Sequence, residues 1–194
     1  MKSNSKRQLT VVSRGDFIKS ACLFGLCGCV GTALAADQPA TPQTDSEELR
    51  TLRERLDFVQ IRFARLVEIL GRNLDEPTVS RIFEELGVEC ARQFKYLSDK
   101  FKGDLDGFLA HVQERWVEKV EHDKQNRTIR ITDRSPKCSC ALVRQGMTPG
   151  AFCDCSRGWQ KEIYSLILGK PVEVKVEQSI LRGAPRCAFL IRYA

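Results

Sequence analysis

Histidine is scarce in this chain, which has only His111 and His122 among its 194 residues. The sequence also lacks a paired-histidine metal motif, a glycine-rich phosphate loop and a Gly-x-Ser-x-Gly nucleophile elbow. His111 borders an apolar helical stripe and His122 lies in a polar run, so we interpret both as structural or solvated side chains. These absences exclude the histidine-zinc, phosphate-loop and serine-elbow classes of enzyme.

A basic excess is also missing from most of the chain, although the formal net charge is +6. The leader, residues 1–36, holds five Lys or Arg side chains against Asp16 alone, which leaves about +2 for everything after it. A nucleic-acid-binding domain needs a clustered positive surface. We therefore predict no nucleic-acid partner.

A run that would span a membrane comfortably is absent as well, because the apolar stretch of residues 21–35 is short and glycine-rich. A basic start, this apolar middle and the small-residue exit Ala33-Leu34-Ala35 predict an export signal over residues 1–36. The protein is then expected to be exported to a periplasmic or other extracytoplasmic compartment. The alternative is an uncleaved leader that anchors the chain in a membrane.

Two finer patterns lie within this signal. Residues 13–19 resemble the twin-arginine export pattern, with Gly15 where the second arginine belongs. Leu26-Cys27-Gly28-Cys29 resembles a lipoprotein box, which would acylate Cys29 and tether the protein to a membrane. We rank this tether below simple cleavage, because Cys27 is unusual at its position in such a box.

A Pro/Thr/Gln-rich linker, residues 37–46, precedes a single predicted α+β domain, residues 47–194. Its helical part, residues 47–122, starts at the capping residue Ser46 with a long helix. The helix carries an apolar stripe at spacings of three and four: Leu49, Leu52, Leu56, Val59, Phe63, Leu66 and Leu70. The stripe is either the seam of a coiled-coil homodimer or the face that packs on the helix's own domain. Three heptads favour the second interpretation.

The rest of the helical part is predicted from caps and breaks. Asp75-Glu76-Pro77 marks the start of a second helix, with proline in the first turn. Cys90 falls on the apolar stripe of that helix and is interpreted as a core thiol, not a ligand. A third helix is predicted after Gly103.

The cysteine-rich part, residues 126–194, changes to a period of two. Residues 128–132 alternate like a strand, and Ser156 is predicted to cap a fourth helix. Residues 172–176 and 187–193 alternate again and are predicted to close the chain as an antiparallel hairpin. The predicted fold class is therefore α+β, with an N-terminal helical half followed by a cysteine-rich helix and an antiparallel β-hairpin sheet.

Cysteine is the residue type that carries the chemistry. Of nine cysteines, six lie beyond the leader, and five of these fall in the last 57 residues. They form the pairs Cys138-x-Cys140 and Cys153-x-Cys155, separated by twelve residues, with Cys187 further on. Four thiolates in two close pairs can surround one tetrahedral zinc ion, and soft sulfur ligands favour zinc or iron over calcium or magnesium. We predict a zinc site drawn from these five cysteines.

Two other uses of the same cysteines stay open. An exported protein meets an oxidising compartment, where six cysteines can pair as disulfides in 15 ways. Alternatively, Cys153 or Cys155 at the start of a helix is a candidate nucleophile, because the helix dipole favours the thiolate. Asp154 lies between them and completes the candidate catalytic set.

The C-terminal residues also carry a resemblance to known families. Cys153-Asp-Cys-Ser-Arg-Gly-Trp159, Leu168-Gly-Lys-Pro-Val172, Glu177-Gln-Ser-Ile-Leu-Arg-Gly183 and Cys187-Ala-Phe189 follow in order. This series resembles the 4-vinyl reductase-like small-molecule-binding domain. It is also similar to bacterial proteins of the L-2-amino-thiazoline-4-carboxylic acid hydrolase family, which share the step Cys153-Asp154. The resemblance covers about the last 60 residues.

The resemblance implies an α+β ligand-binding domain with a hydrophobic pocket near the cysteines. It further implies zinc, with ligands drawn from Cys138, Cys140, Cys153, Cys155 and Cys187. Our first hypothesis is thus an exported protein that binds a small molecule, a metal ion or both. The alternative is an amino-thiazoline-type hydrolase with Cys153 or Cys155 as nucleophile. The third is a disulfide-stapled interaction domain that dimerises through the apolar stripe.

Overall fold

The structure is a computed structural model, and it describes residues 46–194. The predictions of an export signal, a twin-arginine-like pattern, a lipoprotein box and most of the linker therefore lie outside the described residues. The described elements are α1 (Glu47–Asn73), α2 (Glu76–Arg92), α3 (Lys95–Lys100), α4 (Leu105–Arg115), β1 (Val117–Asp123), β2 (Thr128–Asp133), α5 (Cys153–Leu168), β3 (Val172–Gln178) and β4 (Ala188–Tyr193). Short 3-10 turns, Gly150–Phe152 and Ile180–Arg182, precede α5 and β4.

The first two helices begin where their caps predict. The Ser46 hydroxyl accepts a hydrogen bond from the backbone N–H of Leu49 at 3.3 Å. The Asp75 carboxylate does the same for the N–H of Thr78 at 2.7 Å, and Pro77 lies in the first turn of α2. Each cap satisfies a backbone donor that the helix itself leaves without a partner.

The four strands form one antiparallel sheet in the order β1-β2-β4-β3. The last strand of the chain, β4, lies inside the sheet between β2 and β3. The largest fully buried side chains of this core belong to α4, α5, β2 and β4: Phe108, Ile129, Ile163, Tyr164, Ile167 and Ile191. The α+β fold class is confirmed, and so is the closing antiparallel pair of strands.

Helix α2 crosses α5 at very short range, because glycine occupies both contact points. A Cβ atom on Gly87 would collide with the carbonyl group of Cys155, and one on Gly158 would collide with the carbonyl group of Glu84. Only a residue without a side chain permits this approach of two backbones. The crossing places the C-terminal half of α2 beside the first turns of α5.

A second apolar cluster joins α1 and α2 to the segment of residues 134–149, which we call the cysteine loop. Its buried members are Val67, Val79, Phe83, Val143 and Phe152, and Cys138, Cys140 and Cys155 pack against them. The ring of Phe152 meets those of Phe63 and Phe83 edge to face, with centroids 4.7 and 5.4 Å apart. The cysteine loop is therefore held by packing as well as by its ends.

The apolar stripe of α1 is buried only along its second half. Phe63, Val67 and Leu70 pack into the second apolar cluster. The earlier members Leu49, Leu52, Leu56 and Val59 are 46–52% exposed, and so is the later member Leu66, at 49%. The prediction that α1 packs on its own domain thus holds for the second half of the helix. The apolar side chains of the first half remain largely exposed to solvent.

Three predicted boundaries are wrong. The helical part does not extend to residue 122, because Val117–Asp123 is strand β1, paired with β2. The apolar pattern of the second helix continues to Leu97 and predicts one helix that far, but the helix ends at Arg92 and α3 follows as a separate short helix. Ser156 does not cap the fourth long helix, since α5 already begins at Cys153, directly after the 3-10 turn around the buried Phe152. None of the helices between residues 46 and 194 is long and apolar enough to cross a membrane.

Candidate cysteine site

The fold brings the five predicted cysteines together from three separate segments. Cys138 and Cys140 lie in the cysteine loop, Cys153 and Cys155 in the first turn of α5, and Cys187 directly before β4. All of them are free thiols, as is Cys90. Burial of each is substantial, with Cys153 only 7% exposed and the others half-buried.

Cys153 occupies the most enclosed position. Its Sγ atom lies 2.6 Å from the Oγ atom of Ser179, which is itself 2% exposed. Burial raises the pKa of the Cys153 thiol; the Ser179 hydroxyl, the Arg182 guanidinium and the backbone amide of Leu181 oppose that rise without cancelling it. Cys153 is therefore a thiol at neutral pH when nothing further compensates its charge.

Cys138 and Cys187 complete a group with Cys153. Burial raises the pKa of Cys138 to about 11, and negative charge on Cys140, Cys187 or Cys153 adds to the rise, with Cys140 the strongest of the three. Burial also raises the pKa of Cys187, which Cys153 raises further. Backbone amides act in the opposite direction, that of Cys140 on Cys138 and that of Ile180 on Cys187. We call Cys138, Cys153 and Cys187 the Cys153 triad.

A second group contains a cysteine that sequence reasoning set aside. Burial raises the pKa of Cys155 to about 12, and the strongest charge effects on it come from Cys140 and Cys90. Cys140 likewise raises the pKa of Cys90, after burial. The interpretation of Cys90 as a mere core thiol is therefore incomplete, because its charge state is coupled to those of Cys140 and Cys155. We call Cys90, Cys140 and Cys155 the Cys155 triad.

The thiols influence one another's pKa but do not enclose an ion. Among residues 46–194, no three Cys, His, Asp or Glu side chains stand in an arrangement that would hold a metal ion. The donor chemistry fits zinc, since soft thiol ligands from separate segments are what structural zinc sites use.

Asp154 does not join the thiols as a base. Its carboxylate pairs with the guanidinium groups of Arg157 and Arg182, each at 3.3 Å. It raises the pKa of Cys153, which disfavours a thiolate nucleophile. Asp154, Arg157 and Arg182 instead line an open cleft of about 820 Å³ between the start of α2, the turn Gly150–Phe152 and α5.

Both histidines lie away from the cysteines. His122 on β1 shares a hydrogen bond of 2.7 Å with the Tyr193 hydroxyl, and His111 packs between the rings of Phe101 and Trp116. The interpretation of both as structural side chains agrees with these contacts. No histidine is therefore placed to act as a base for a cysteine nucleophile.

Sequence reasoning missed three polar residues in this region. Burial raises the pKa of Asp133, at the end of β2, to about 6, and Asp133 in turn raises the pKa of Cys187. The hydroxyl of Tyr164 is buried without a hydrogen-bond partner. Ser179 meets Cys153 from a segment 26 residues away. No local pattern marks these residues, because their positions depend on how α5 packs against the sheet.

Comparisons with known proteins leave the family open. No family model matches the chain, and no curated protein matches it. Among solved structures, the chain is similar to the crystal structure of the phenol-responsive sensory domain of the transcription activator PoxR with phenol. The identity is 12% and the TM-score 0.41, over 68% of this chain and 73% of that chain. Membership in either family that the C-terminal residues resemble stays a prediction.

Proposed function

We propose that this is an exported zinc-thiolate protein whose C-terminal part binds a small molecule beside the metal. The observation that carries the proposal is the convergence of buried thiols from the cysteine loop, the start of α5 and the segment before β4. Three segments that are distant in sequence carry free thiols, and electrostatic effects on the pKa of Cys138 and Cys187 link all three segments. Such convergence without a shared catalytic base is typical of a structural metal site.

The electrostatics of the Cys153 triad support a cation. Burial alone makes each thiolate costly, because a charge in an apolar environment needs compensation. A zinc ion supplies two positive charges and coordinates the deprotonated sulfur directly. Backbone amides already directed at the sulfurs of Cys138, Cys153 and Cys187 would stabilise the thiolates further. Cys155 and Cys140 are the candidates for a fourth ligand, since Cys155 senses Cys138 and Cys153 and Cys140 raises the pKa of Cys138.

Zinc binding would require the sulfurs to move from their described positions, in which no three of these side chains could hold an ion. A cysteine side chain has one rotatable bond with three staggered positions, so its sulfur can be redirected without backbone movement. Zinc, when bound, would fix the geometry of the cysteine loop against α5. Its role here is structural, and no chemical step is assigned to it.

The cleft next to the cysteines is the proposed small-molecule site. It has a volume of about 820 Å³, and Asp154, Arg157 and Arg182 supply its charged groups. Volumes of this size are usual for small-ligand sites. Asp154 lies between Cys153 and Cys155 in the first turn of α5. A small molecule in the cleft and a metal ion at the thiols would therefore both contact this turn.

The hydrolase alternative has less support. A cysteine nucleophile needs a lowered thiol pKa or an adjacent base. Burial raises the pKa of both Cys153 and Cys155, while Asp154 is engaged by two arginines. The disulfide alternative is better supported than the hydrolase alternative, since free thiols can be oxidised outside the cytoplasm.

The test is a count of zinc and free thiols on the full-length chain purified without reducing agent. We expect at least about one zinc per chain by elemental mass spectrometry, lost in Cys153→Ser and retained in Ser139→Ala, an exposed position of the cysteine loop. Circular dichroism would verify that both variants fold. Metal-free protein in which the thiols are free, or are paired as disulfides, would refute the zinc proposal.

Export has its own measurement. The mass of the protein recovered from the extracytoplasmic fraction of a bacterial host should correspond to cleavage near Ala35. A mass increased by an acyl group on Cys29 would instead identify the membrane tether. Recovery of only the uncleaved chain from the cytoplasm would overturn the export proposal.

A further inference from the structure

The first half of α1 presents an apolar face that the described residues leave largely uncovered. Its members Leu49, Leu52, Leu56 and Val59 are 46–52% exposed and belong to neither apolar cluster. A contiguous row of exposed apolar side chains is typical of a surface that binds another molecule. The dimensions and charges of this row indicate which molecule that is.

The chain's own domain limits how far a partner can follow the apolar stripe. Phe63 and Leu70 pack into the second apolar cluster, of which Val67 is a buried member. Because α1 is one helix from Glu47 to Asn73, a partner helix that follows the stripe meets this domain from Phe63 onwards. The face that stays available is that of residues 47–62, which we call the overlap segment.

The overlap segment is complementary to a second copy of itself. Its four apolar residues are three, four and three positions apart, a spacing that is the same in both directions. An antiparallel copy therefore places Leu49 opposite Val59 and Leu52 opposite Leu56, and a two-fold axis repeats both pairs. An isologous interface needs this kind of self-complementarity.

The antiparallel direction also agrees with the position of the domain. In this register, Glu47 of one copy lies level with Ile61 of the other, so each helix starts where the other copy's domain begins. A parallel copy would instead continue along residues 63–73, where the domain already packs on the stripe. Packed helices are only about 8–10 Å apart, which leaves little room for both.

Charged side chains beside the apolar row fit the same arrangement. Glu48 and Arg62 lie on one flank of the row, and among residues 46–194 neither forms an ion pair, although Arg62 lies 5.2 Å from the ring of Phe58. The antiparallel register brings Glu48 of each copy beside Arg62 of the other. Arg55 lies between them on this flank and meets its own counterpart near the two-fold axis, which opposes association. Four acidic and four basic residues give the overlap segment no net charge, so two copies do not repel each other overall.

We infer that two copies of this chain form a two-fold dimer in which the overlap segments pair as antiparallel helices. The two α+β domains then lie at opposite ends of the helix pair. This interface uses none of the cysteines and does not depend on the proposed zinc site.

Charge reversal tests both the dimer and its register. Sedimentation velocity on the reduced full-length chain should show a monomer–dimer equilibrium, which Leu56→Asp abolishes while circular dichroism stays unchanged. Glu48→Arg and Arg62→Glu should each weaken the dimer about fivefold or more, and the double variant should restore it. Arg55→Gln should strengthen the dimer, because it removes a like-charge contact at the axis. Arg72→Glu, outside the overlap segment, is the control and should have no effect.

Photo-crosslinking identifies the direction of the helices. A photoreactive side chain in place of Glu48 should link to residues around Arg62, as mapped by peptide mass spectrometry. These positions are about 21 Å apart along one helix, so the link can form only between two copies. Links to residues around position 48 of the second copy would show a parallel pair and overturn the inference.

Two further results would also overturn it. One is a monomer at every concentration, including a monomer whose position 48 links to the leader of the same chain. The other is a dimer that Leu56→Asp leaves intact, because its interface would then lie elsewhere.

Discussion

The Sγ atom of Cys153 lies 2.6 Å from the Oγ atom of Ser179, and both side chains are buried. The partners come from the start of α5 and from the segment between β3 and the turn Ile180–Arg182. Ser179 lowers the pKa of a thiol that burial raises. A single hydroxyl thus moderates the cost of a thiolate at the most enclosed position of the Cys153 triad.

The first prediction removes this hydroxyl. In Ser179→Ala, the pKa of Cys153 should rise further, so the thiolate fraction at a given alkaline pH falls. We expect alkylation of Cys153 in the metal-free, reduced protein to slow several-fold, with its pH profile displaced upward. Peptide mass spectrometry would follow Cys153 alone. Ser98→Ala, a buried serine of α3, is the control, and an unchanged profile in Ser179→Ala would contradict the role assigned to Ser179.

The second prediction concerns the glycine crossing of α2 and α5. Gly87→Ala forces a methyl group into the carbonyl of Cys155 and should lower the free energy of unfolding by about 1–3 kcal/mol or more. Gly71→Ala is the matched control in α1, where a Cβ meets nothing within 4 Å. That change should leave stability equal or raise it by up to about 1 kcal/mol. Urea unfolding of both variants would measure the contrast, and equal stabilities would show that the crossing is looser than described.

The third prediction is a pH dependence at the same helix pair. Burial would raise the pKa of Glu84, but its ion pairs with Lys161 and Arg157 outweigh burial and hold that pKa below its ordinary value. A carboxylate with a lowered folded pKa stabilises the fold above its unfolded pKa, and this stabilisation is lost as the pH falls through the folded pKa.

The variant Glu84→Gln isolates this contribution. At pH 7 it should be less stable than wild type by about 1 kcal/mol or less, since the ion pairs are partly solvated. The difference should shrink once the pH falls below the ordinary glutamate pKa of about 4.3, and it should vanish at more acid pH. Thermal unfolding across this range would measure it, with Glu85→Gln as an exposed neighbour. A difference that grows toward acid pH would contradict the assignment.

The fourth prediction separates the two halves of α1. Val67 is 1% exposed and Leu52 is 52% exposed, although both belong to apolar positions of one helix. Val67→Ala should cost about 2 kcal/mol of unfolding free energy. Leu52→Ala should change it by less than about 0.5 kcal/mol in dilute solution.

The dependence of stability on protein concentration tests whether the apolar stripe of α1 also forms a homodimer. A homodimer through the stripe stays a prediction. It would make wild-type stability rise with concentration and would abolish that rise in Leu52→Ala. Sedimentation velocity would report the same association directly. A monomer at all concentrations would exclude the homodimer.

Much of the fold was predictable because its signals are local. The caps at Ser46 and Asp75, and the alternation in β2, β3 and β4, depend on neighbouring residues alone. Strand β1 was missed because Val117–Asp123 follows α4 without a glycine or proline. Its strand conformation depends on pairing with β2, which is a tertiary effect.

Whether the five C-terminal cysteines form a functional site stays a prediction; the sequence selects them but does not indicate their arrangement. Spacing singled out the five C-terminal cysteines, because paired cysteines are a sequence signature. Cys90 was assigned to a core because helical periodicity shows which residues share a face, not which element that face meets. The residues around Cys90 are set by the crossing of α2 and α5 at Gly87 and Gly158. A glycine in a helical sequence does not by itself indicate that another helix crosses there.

The position of β4 has a consequence for how this protein is made. The hairpin of β1 and β2 and the strand β3 acquire their shared neighbour only when residues 188–193 have been synthesised. Until then β2 and β3 each present an open edge, which is a template for aggregation. The sheet therefore closes late, after the other described elements have emerged. A chain truncated before Ala188 would leave the facing edges of β2 and β3 unpaired. We expect such a chain to be bound by chaperones or degraded by proteases and not to form a shorter folded protein.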